Sequence, residues 1–496
     1  MNNVLRLGKS GYPDSADPAV SNSRQAWTIS NTAYQRLFRY KQGSNKTSDD
    51  VEGDLAANWS LNSSLNRLKI LLKPNQYFID GSLIDSKAVV FSIRRAQKIN
   101  KAPAIDLRLI DSIYAIDQMT VEVKLAYPFS LILEALTGNG ASIVSPKVLE
   151  YQENNDLGQA YLKSHTLGSG AYQIEASTDH NIYMAVNPYY PESLFYDALD
   201  IQIIPQAKKR IEDLENHKLD IVEDLSPDDI QSLRVQQNVR IVDKYSHLIT
   251  SVFFNTRKPI LRDVRVRQAL TKVIDQKRII QDIFKHQARI LKTLDPDFLN
   301  DNTAGSQYTQ PDIKAARALF KELKINRLEL VYLSDYPGRE SYWNRIAECL
   351  QEDFQQLNVS LEIKKVTFEK MKQRIPKGEF DISVGDWIPS YNDPWAAMKS
   401  MYHPERSGLR GNQASYQDEI VIRLLKTIDS SVDMEERKQL YLTLEQQAAD
   451  DCPYLLMVQR KYMCAMRTDL KGYHFHPFDW QLWDFTALHK KTEPSL

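Results

Sequence analysis

Glycine is scarce in this chain, cysteine nearly absent, and long apolar runs are missing altogether. Only 17 of its 496 residues are glycine, which leaves little material for the glycine-rich loops that cradle phosphates. No H-E-x-x-H, G-x-S-x-G or Walker-type G-x-x-x-x-G-K occurs, so no zinc-protease, hydrolase-elbow or nucleotide-loop signature is present. Gly168-Ser169-Gly170 and Gly138-Asn139-Gly140 lack the third glycine and the strand–turn–helix setting of a dinucleotide fingerprint. The three cysteines, Cys349, Cys452 and Cys464, form neither a disulfide framework nor a C-x-x-C pair. Cys452 and Cys464 can pair only where their two segments run side by side. No apolar stretch reaches the roughly 18 residues of a membrane span. Charge of one sign is lacking too: 63 Lys+Arg against 64 Asp+Glu leave a formal net charge of −1. That balance argues against nucleic acid or an anionic membrane as the main partner. The opening MNNVLRLGKSGYPDSADP has no apolar core of a signal peptide. The chain is either cytoplasmic or an exported protein whose leader has been trimmed.

What is there is an ordinary globular composition, 42% hydrophobic and 26% charged, in a chain long enough for two or three domains. VLRLG reads as a strand, and a helix is expected from about Arg24 through QAWTISNTAYQRLF. LNRLKILL followed by the Asp80-Gly81 turn suggests a hairpin edge. SKAVVFSIRRAQKI then reads as an amphipathic helix, MTVEVKLAYPF as a strand, and residues 131–163 as helical in two pieces. Further strands are YQIEAS, LDIQIIP and LDIVED, with a charged helix QAKKRIEDLENHKL among them. A second set starts at the apolar strand SVFFNTR and includes one long helix, DVRVRQALTKVIDQKRIIQDIF. It continues with KAARALFKEL (helix), LELVYLS (strand), YWNRIAECLQEDFQQL (helix), VSLEIKKV (strand), FEKMKQRI (helix) and FDISVGDW (strand). Two more helices, DEIVIRLLKTI and ERKQLYLTLEQQAADD, precede the strand PYLLMVQRKYMCAM. Alternating strands and helices predict α/β units on a largely parallel sheet. One lobe is embedded between two stretches of another, an arrangement that closes on a ligand.

Chemistry-bearing clusters are few. His474 and His476 share one side of a strand, but no third or fourth metal ligand accompanies them; they read as half-exposed histidines. Asp220, Glu223 and Asp224 cluster, and Ser226-Pro227-Asp228-Asp229 reads as a helix start with Ser226 as its cap. No nucleophile–base pair stands out, so no catalytic residue, cofactor or metal is assigned. The segment GEFDISVGDWIPSYNDPWAAMKSMY (378–402) breaks the amphipathic pattern. After its strand, Trp387, Tyr391 and Trp395 lie among Pro389, Ser390, Asn392, Asp393 and Pro394. Loops at the carboxyl ends of α/β strands line ligand crevices, and aromatics there supply contact area while short polar groups supply direction. The competing reading is a rigid turn whose tryptophans fill the core.

Over nearly its whole length the chain resembles the bacterial extracellular solute-binding proteins of family 5. DSADP (14–18), DLAANWSLN (54–62), KPNQYFIDGSLIDSKAVVFSIRR (73–95), LGSGAYQI, NPYYP (187–191) and HKLDIVED carry the likeness in order. SVFFNTRKPILRDVRVRQALTKVIDQKRII is its strongest piece, and FDISVGDWIPSYNDP completes it. The resemblance implies an α/β, two-lobed periplasmic-binding-protein fold of the large cluster C type, with an extra subdomain and a central ligand cleft. Residues 1–38, 167–250 and 465–496 are then expected to form lobe one, residues 39–166 its inserted subdomain, and 251–464 lobe two. Hinges are expected near Ser251 and Met463. The implied function is the substrate-binding component of an ABC importer. Such a protein is a monomeric, periplasmic receptor, not an enzyme, that encloses a peptide or other small organic solute and delivers it to a membrane permease. The alternative is a cytoplasmic ligand-sensing module on the same fold.

The chain departs from the peptide-binding relatives at their charged anchors. The aspartate that pairs with a peptide's α-amino group three residues after the cleft tryptophan Trp387 is Ser390 here. Asp386 replaces a usual glycine, and Asp393 lies three residues beyond Ser390. The arginine three residues before the tryptophan in one oligopeptide branch is Val384, and a lobe-one acid becomes Asn22, with Arg24 two positions on. A buried ammonium needs a charged partner, so these changes predict a neutral or differently charged ligand. The expected ligand-contacting set is Asn22, Arg24, Asp386, Trp387, Ser390, Tyr391, Asn392, Asp393 and Trp395.

Overall fold

The computed structural model describes residues 3–21, 23–41, 50–294, 299, 313–333, 340–389, 391, 393–409, 411–477 and 483–490. The chain divides into two compact units, Met1–Lys244 with Met463–Leu496 and Tyr245–Tyr462. The divisions at 244/245 and 462/463 compare with the crossings expected at 250/251 and 464/465.

In the first unit β1 (Val4–Lys9) is followed by α1 (Arg24–Ala33) and the short pair β2 (Phe38–Tyr40) and β3 (Val51–Gly53). The helix stops at Ala33, five residues before the expected end at Phe38. The Ala33 carbonyl accepts from the Gly170 amide (2.9 Å) and from Gln173 Nε2 (2.6 Å), and Tyr34 turns to extended backbone. A Cβ at Gly170 would stand 2.2 Å from the Thr32 carbonyl oxygen, so only glycine permits this approach. Next come β4 (Ala56–Leu61), β5 (Arg67–Leu72), α2 (Ser86–Ile99), β6 (Ile110–Ala115) and β7 (Thr120–Leu125). They make an antiparallel sheet of order β4-β5-β7-β6 inside the segment expected to be the insertion. β5 alternates exposed and buried residues, with Leu68, Ile70 and Leu72 inward, as a sheet with one wet face requires. Asp17 anchors the N-terminal turn to α2 through a buried bidentate pair with Arg95, at 3.0 and 2.6 Å.

Residues 131–163 differ from the two helical pieces expected. They form one helical turn, Ile132–Ala135, and tight turns at Asn139–Ala141, Pro146–Tyr151 and Tyr161–Lys163. Pro146 and the left-handed Asn154 and Asn155 interrupt the helical period. The unit continues with β8 (Tyr172–Thr178), β9 (Asn181–Val186), β10 (Ala198–Ile203), α3 (Ala207–Glu215), β11 (Ile221–Val222) and α4 (Pro227–Leu233). Ser226 caps α4 in a reciprocal box with Asp229. The strand order is β11-β1-β10-β9-β8, with β1 parallel to both β10 and β11.

β12 (Val239–Phe254) leads into the second unit. There the long helix expected from Asp263 is broken into α5 (Val264–Val273) and α6 (Gln276–Asp282). The break is at Asp275, whose carboxylate caps α6 through the Arg278 amide (2.9 Å) while its own amide donates to Asp353 (3.0 Å). The remaining elements are β13 (Ala288–Ile290), α7 (Ile313–Glu322), β14 (Arg327–Leu333), α8 (Glu340–Gln355), β15 (Ser360–Val366), α9 (Phe368–Lys377) and β16 (Ile382–Trp387). After them come α10 (Pro394–Tyr402), α11 (Glu419–Ser430), α12 (Met434–Asp451) and β17 (Tyr454–Arg467). The strands order as β15-β14-β16-β12-β17, with β14 parallel to β15 and β16 and β12 antiparallel to β16. α8 brings Trp343, Ile346, Leu350 and Phe354, one stripe at helical spacing, onto Leu330, Ile382 and Val252 of the sheet. The C-terminal segment returns to the first unit, where β18 (Leu470–Lys471) pairs with β19 (His489–Lys490). All three cysteines are free thiols.

Candidate functional site

In the second unit the expected ligand segment follows β16, at the carboxyl end of the parallel strands. Trp387 is the last residue of β16 and lies opposite Ile249 of β12, with a half-buried side chain. One position back, Asp386 lies opposite Thr250 and points to the other face. Its carboxylate takes three hydrogen bonds, from Thr250 Oγ1 (2.7 Å), Tyr342 OH (2.6 Å) and Arg460 Nη1 (3.0 Å). This is a buried ion pair: the Arg460 and Asp386 side chains are 9% and 4% exposed.

Beyond the strand, Tyr391, Asp393 and Trp395 are buried. Asp393 caps α10 by accepting from the Trp395 amide (2.8 Å) and also accepts from Tyr441 OH (2.6 Å) of α12. Arg437 Nη2 stands 3.4 Å from the same oxygen, both side chains being about 99% and 98% buried as their 1% and 2% exposures state. Burial pushes the Asp393 carboxyl above its usual range, against the pull of Arg437 and Tyr441. Trp395 donates through Nε1 to Asp429 (2.5 Å), carries the Lys399 ammonium 4.4 Å over its ring, and stacks with Tyr391 at 6.2 Å. Tyr391 and Trp395 are buried at 1% and 2% exposure. Ser390 and Asn392 lie outside the described residues.

In the first unit Asn22 also lies outside the described residues. Arg24 opens α1, directly after the Ser23 cap, and its charge acts on Glu223 and Asp224 at the end of β11. Lys9, ending β1, pairs with Glu223 at 2.7 Å and donates to Thr28 Oγ1 at 2.6 Å. Trp483 Nε1 donates to the second oxygen of Glu223 at 2.8 Å. Ser10 holds Asp224 through its amide (3.1 Å) and hydroxyl (2.7 Å). Burial alone would raise the Asp224 carboxyl; Arg24, Lys9 and Ser10 outweigh it and bring it to about 2. Glu223 is lowered as well, with burial again opposed by Lys9 and Arg24.

Composition made these two groups hard to see. Arg460 and Lys9 are buried charges within largely apolar strands, and a charge in such a strand is the signal that points to them. Glu223 and Asp224 were visible as a cluster, but their partners Lys9, Ser10 and Trp483 are more than 200 residues away in sequence. His476 is buried against Tyr40, ring centroids 5.4 Å apart. Among the described residues no group of three or more His, Cys, Asp or Glu side chains is placed to hold a metal ion.

The chain folds as two α/β units, and among the described residues no helix is long and apolar enough to cross a membrane. Residues 50–408 match bacterial extracellular solute-binding proteins, family 5 (middle region), and the chain belongs to that family, the substrate-binding components of ABC importers. It is 28% identical over 489 residues to the probable D,D-dipeptide-binding periplasmic protein DdpA of Escherichia coli K12, covering 98% of this chain and 94% of that one. Among solved structures, the dipeptide-binding protein from Pseudoalteromonas sp. SM9913 in complex with Met-Leu superposes with a TM-score of 0.85 at 19% identity, covering 98% of this chain and all of that chain (100%). NikZ from Campylobacter jejuni in complex with Ni(L-His) reaches 0.83 at 19% identity, covering 99% of this chain and 100% of that one.

Proposed function

We propose that this chain captures a dipeptide-sized organic solute outside the cytoplasmic membrane and delivers it, unaltered, to an ABC permease. It acts as a monomeric receptor without turnover. Trp387 is its aromatic contact in the second unit, while Tyr391, Asp393 and Trp395 support the segment from within. The recognised solute does not require a free α-ammonium read by this segment.

One observation carries the ligand reading. The two carboxylates flanking neutral Ser390 are both committed inside the second unit, Asp386 to Arg460 and Asp393 to Arg437. A peptide ammonium entering a dry site needs an ionised partner, and neither carboxylate is vacant. The relatives support the size class: one is named for D,D-dipeptides and another holds Met-Leu. The neighbour holding Ni(L-His) has the same fold, so fold alone does not select the solute.

Thermal unfolding of ligand-stripped protein tests this. The panel holds L,L- and D,D-dipeptides, their N-acetyl derivatives, oligosaccharides, haem and nickel. A ligand at about 1,000 times its Kd adds about 4 kcal/mol to the folded state. We expect dipeptides to raise the midpoint and N-acetylation to leave the rise intact. Loss of the rise on N-acetylation refutes the ammonium argument; silence across the whole panel refutes the receptor assignment.

A further inference from the structure

The buried pair that closes β16 has one unfilled side. Arg460 lies in β17 among the buried apolar residues Leu455, Met457, Val458 and Tyr462. A guanidinium is expensive to bury in such surroundings unless each donor finds an acceptor. Nη1 finds two, Asp386 Oδ2 (3.0 Å) and Tyr342 OH (2.6 Å). The guanidinium carbon also stands 4.3 Å over the Tyr342 ring and 5.2 Å over the Phe284 ring, which fixes its plane. Nε and Nη2 have no partner among the described residues, although Arg460 is only 8% exposed, and neither is sealed away from solvent. Asp386, by contrast, already takes donors from Thr250, Tyr342 and Arg460. The open valence of the pair therefore belongs to the cation.

We propose that Arg460 reads a carboxylate of the solute, through the edge formed by its Nε–H and Nη2–H. That edge presents two parallel donors at the spacing of a carboxylate's two oxygens. The location fits. Asp386 and Trp387 are the last two residues of β16, and ligands of open α/β sheets lie beyond the carboxyl ends of the strands. The indole is on one face of that strand end and the Arg460–Asp386 pair on the other, so a solute laid across the end meets both. Asp386 holds the guanidinium rigid and in register, which lowers the entropy lost on binding. The aspartate that replaces a glycine beside the tryptophan is thus a positioning residue for Arg460, and the site selects a carboxylate where it does not select an ammonium.

This inference rests on the receptor reading and is separable from it by titration calorimetry on full-length, ligand-stripped protein. The probes are D-alanyl-D-alanine, L-methionyl-L-leucine and the C-terminal carboxamide of each. Replacing the carboxylate by carboxamide should weaken binding about thirty-fold or more, because a buried charge pair loses one member. Arg460→Lys keeps the charge but loses the fork and should shrink that acid-to-amide ratio. The paired change Arg460→Gln with Asp386→Asn removes both buried charges together, which avoids stranding one, and should bring the ratio to about one. If that pair unfolds, the wild-type comparison and Arg460→Lys still decide. Equal binding of acid and amide by the wild type overturns the proposal, as does an acid-to-amide ratio unchanged in the Arg460 variants. Absence of binding by every probe overturns the dipeptide-sized solute of the receptor reading and this inference with it.

Discussion

Asp393 offers the sharpest separation between supporting and ligand-contacting roles in the 386–395 segment. Replacing it with alanine removes the cap of α10, worth about 1 kcal/mol. It also strands Arg437, whose side chain is 1% exposed, and breaking a buried pair from one side costs about 3–5 kcal/mol. The sum, about 4–6 kcal/mol, is a large share of the roughly 5–15 kcal/mol that holds a domain together. At about 2–4 °C per kcal/mol for a unit of this size, Asp393→Ala should lower the midpoint by about 8–24 °C. The assay is thermal unfolding with and without a dipeptide, alongside affinity measured well below the midpoint. Asp393→Ala combined with Arg437→Met should recover part of the loss, since the stranded charge goes with its partner. A variant that melts like the wild type but no longer binds refutes the reasoning, because Asp393 would then serve the solute and not α10.

Two further substitutions divide the tryptophans. Trp387→Ala should abolish dipeptide binding with little change in the unfolding midpoint, as a half-buried strand-end side chain supports little core; unfolding of this variant refutes its role as a contact. Trp395→Ala should cost about 3–5 kcal/mol of stability, read by urea denaturation, and a cost near zero contradicts its place in the core. Asp224 sets a pH dependence in the first unit. Its folded value, about 2, lies below the unfolded 3.8, so its contribution is complete above pH 3.8 and is lost as pH falls toward 2. That contribution is about 2 kcal/mol. Wild type should therefore lose about that much more than Asp224→Asn between pH 4 and pH 2 by denaturant unfolding; parallel curves refute the assignment.

The α/β units were legible because hydrophobic period is a local property. β14, α8, β15, α9 and β16 follow in the expected order for that reason. Element ends were less so, because distant groups set them: Gly170 and Gln173 end α1, and Asp353 helps divide α5 from α6. The turns between residues 131 and 163 kept apolar residues at near-helical spacing while Pro146 and two left-handed asparagines broke the helix. In the candidate site, Trp387 stood out as an aromatic at the end of an apolar strand. The roles of its neighbours did not, since Asp386 depends on residues of β12, α8 and β17, and Asp393 on α12. Such partners converge only in the folded chain, where spacing in sequence carries no trace of them.

Uptake in the source cell tests the central claim most directly. A strain lacking this gene, supplied with the labelled dipeptide that stabilises the protein most, should fail to accumulate it. Wild-type protein should restore accumulation and Trp387→Ala, though folded and abundant, should not. Undiminished uptake in the deletion strain, or full rescue by Trp387→Ala, contradicts the account.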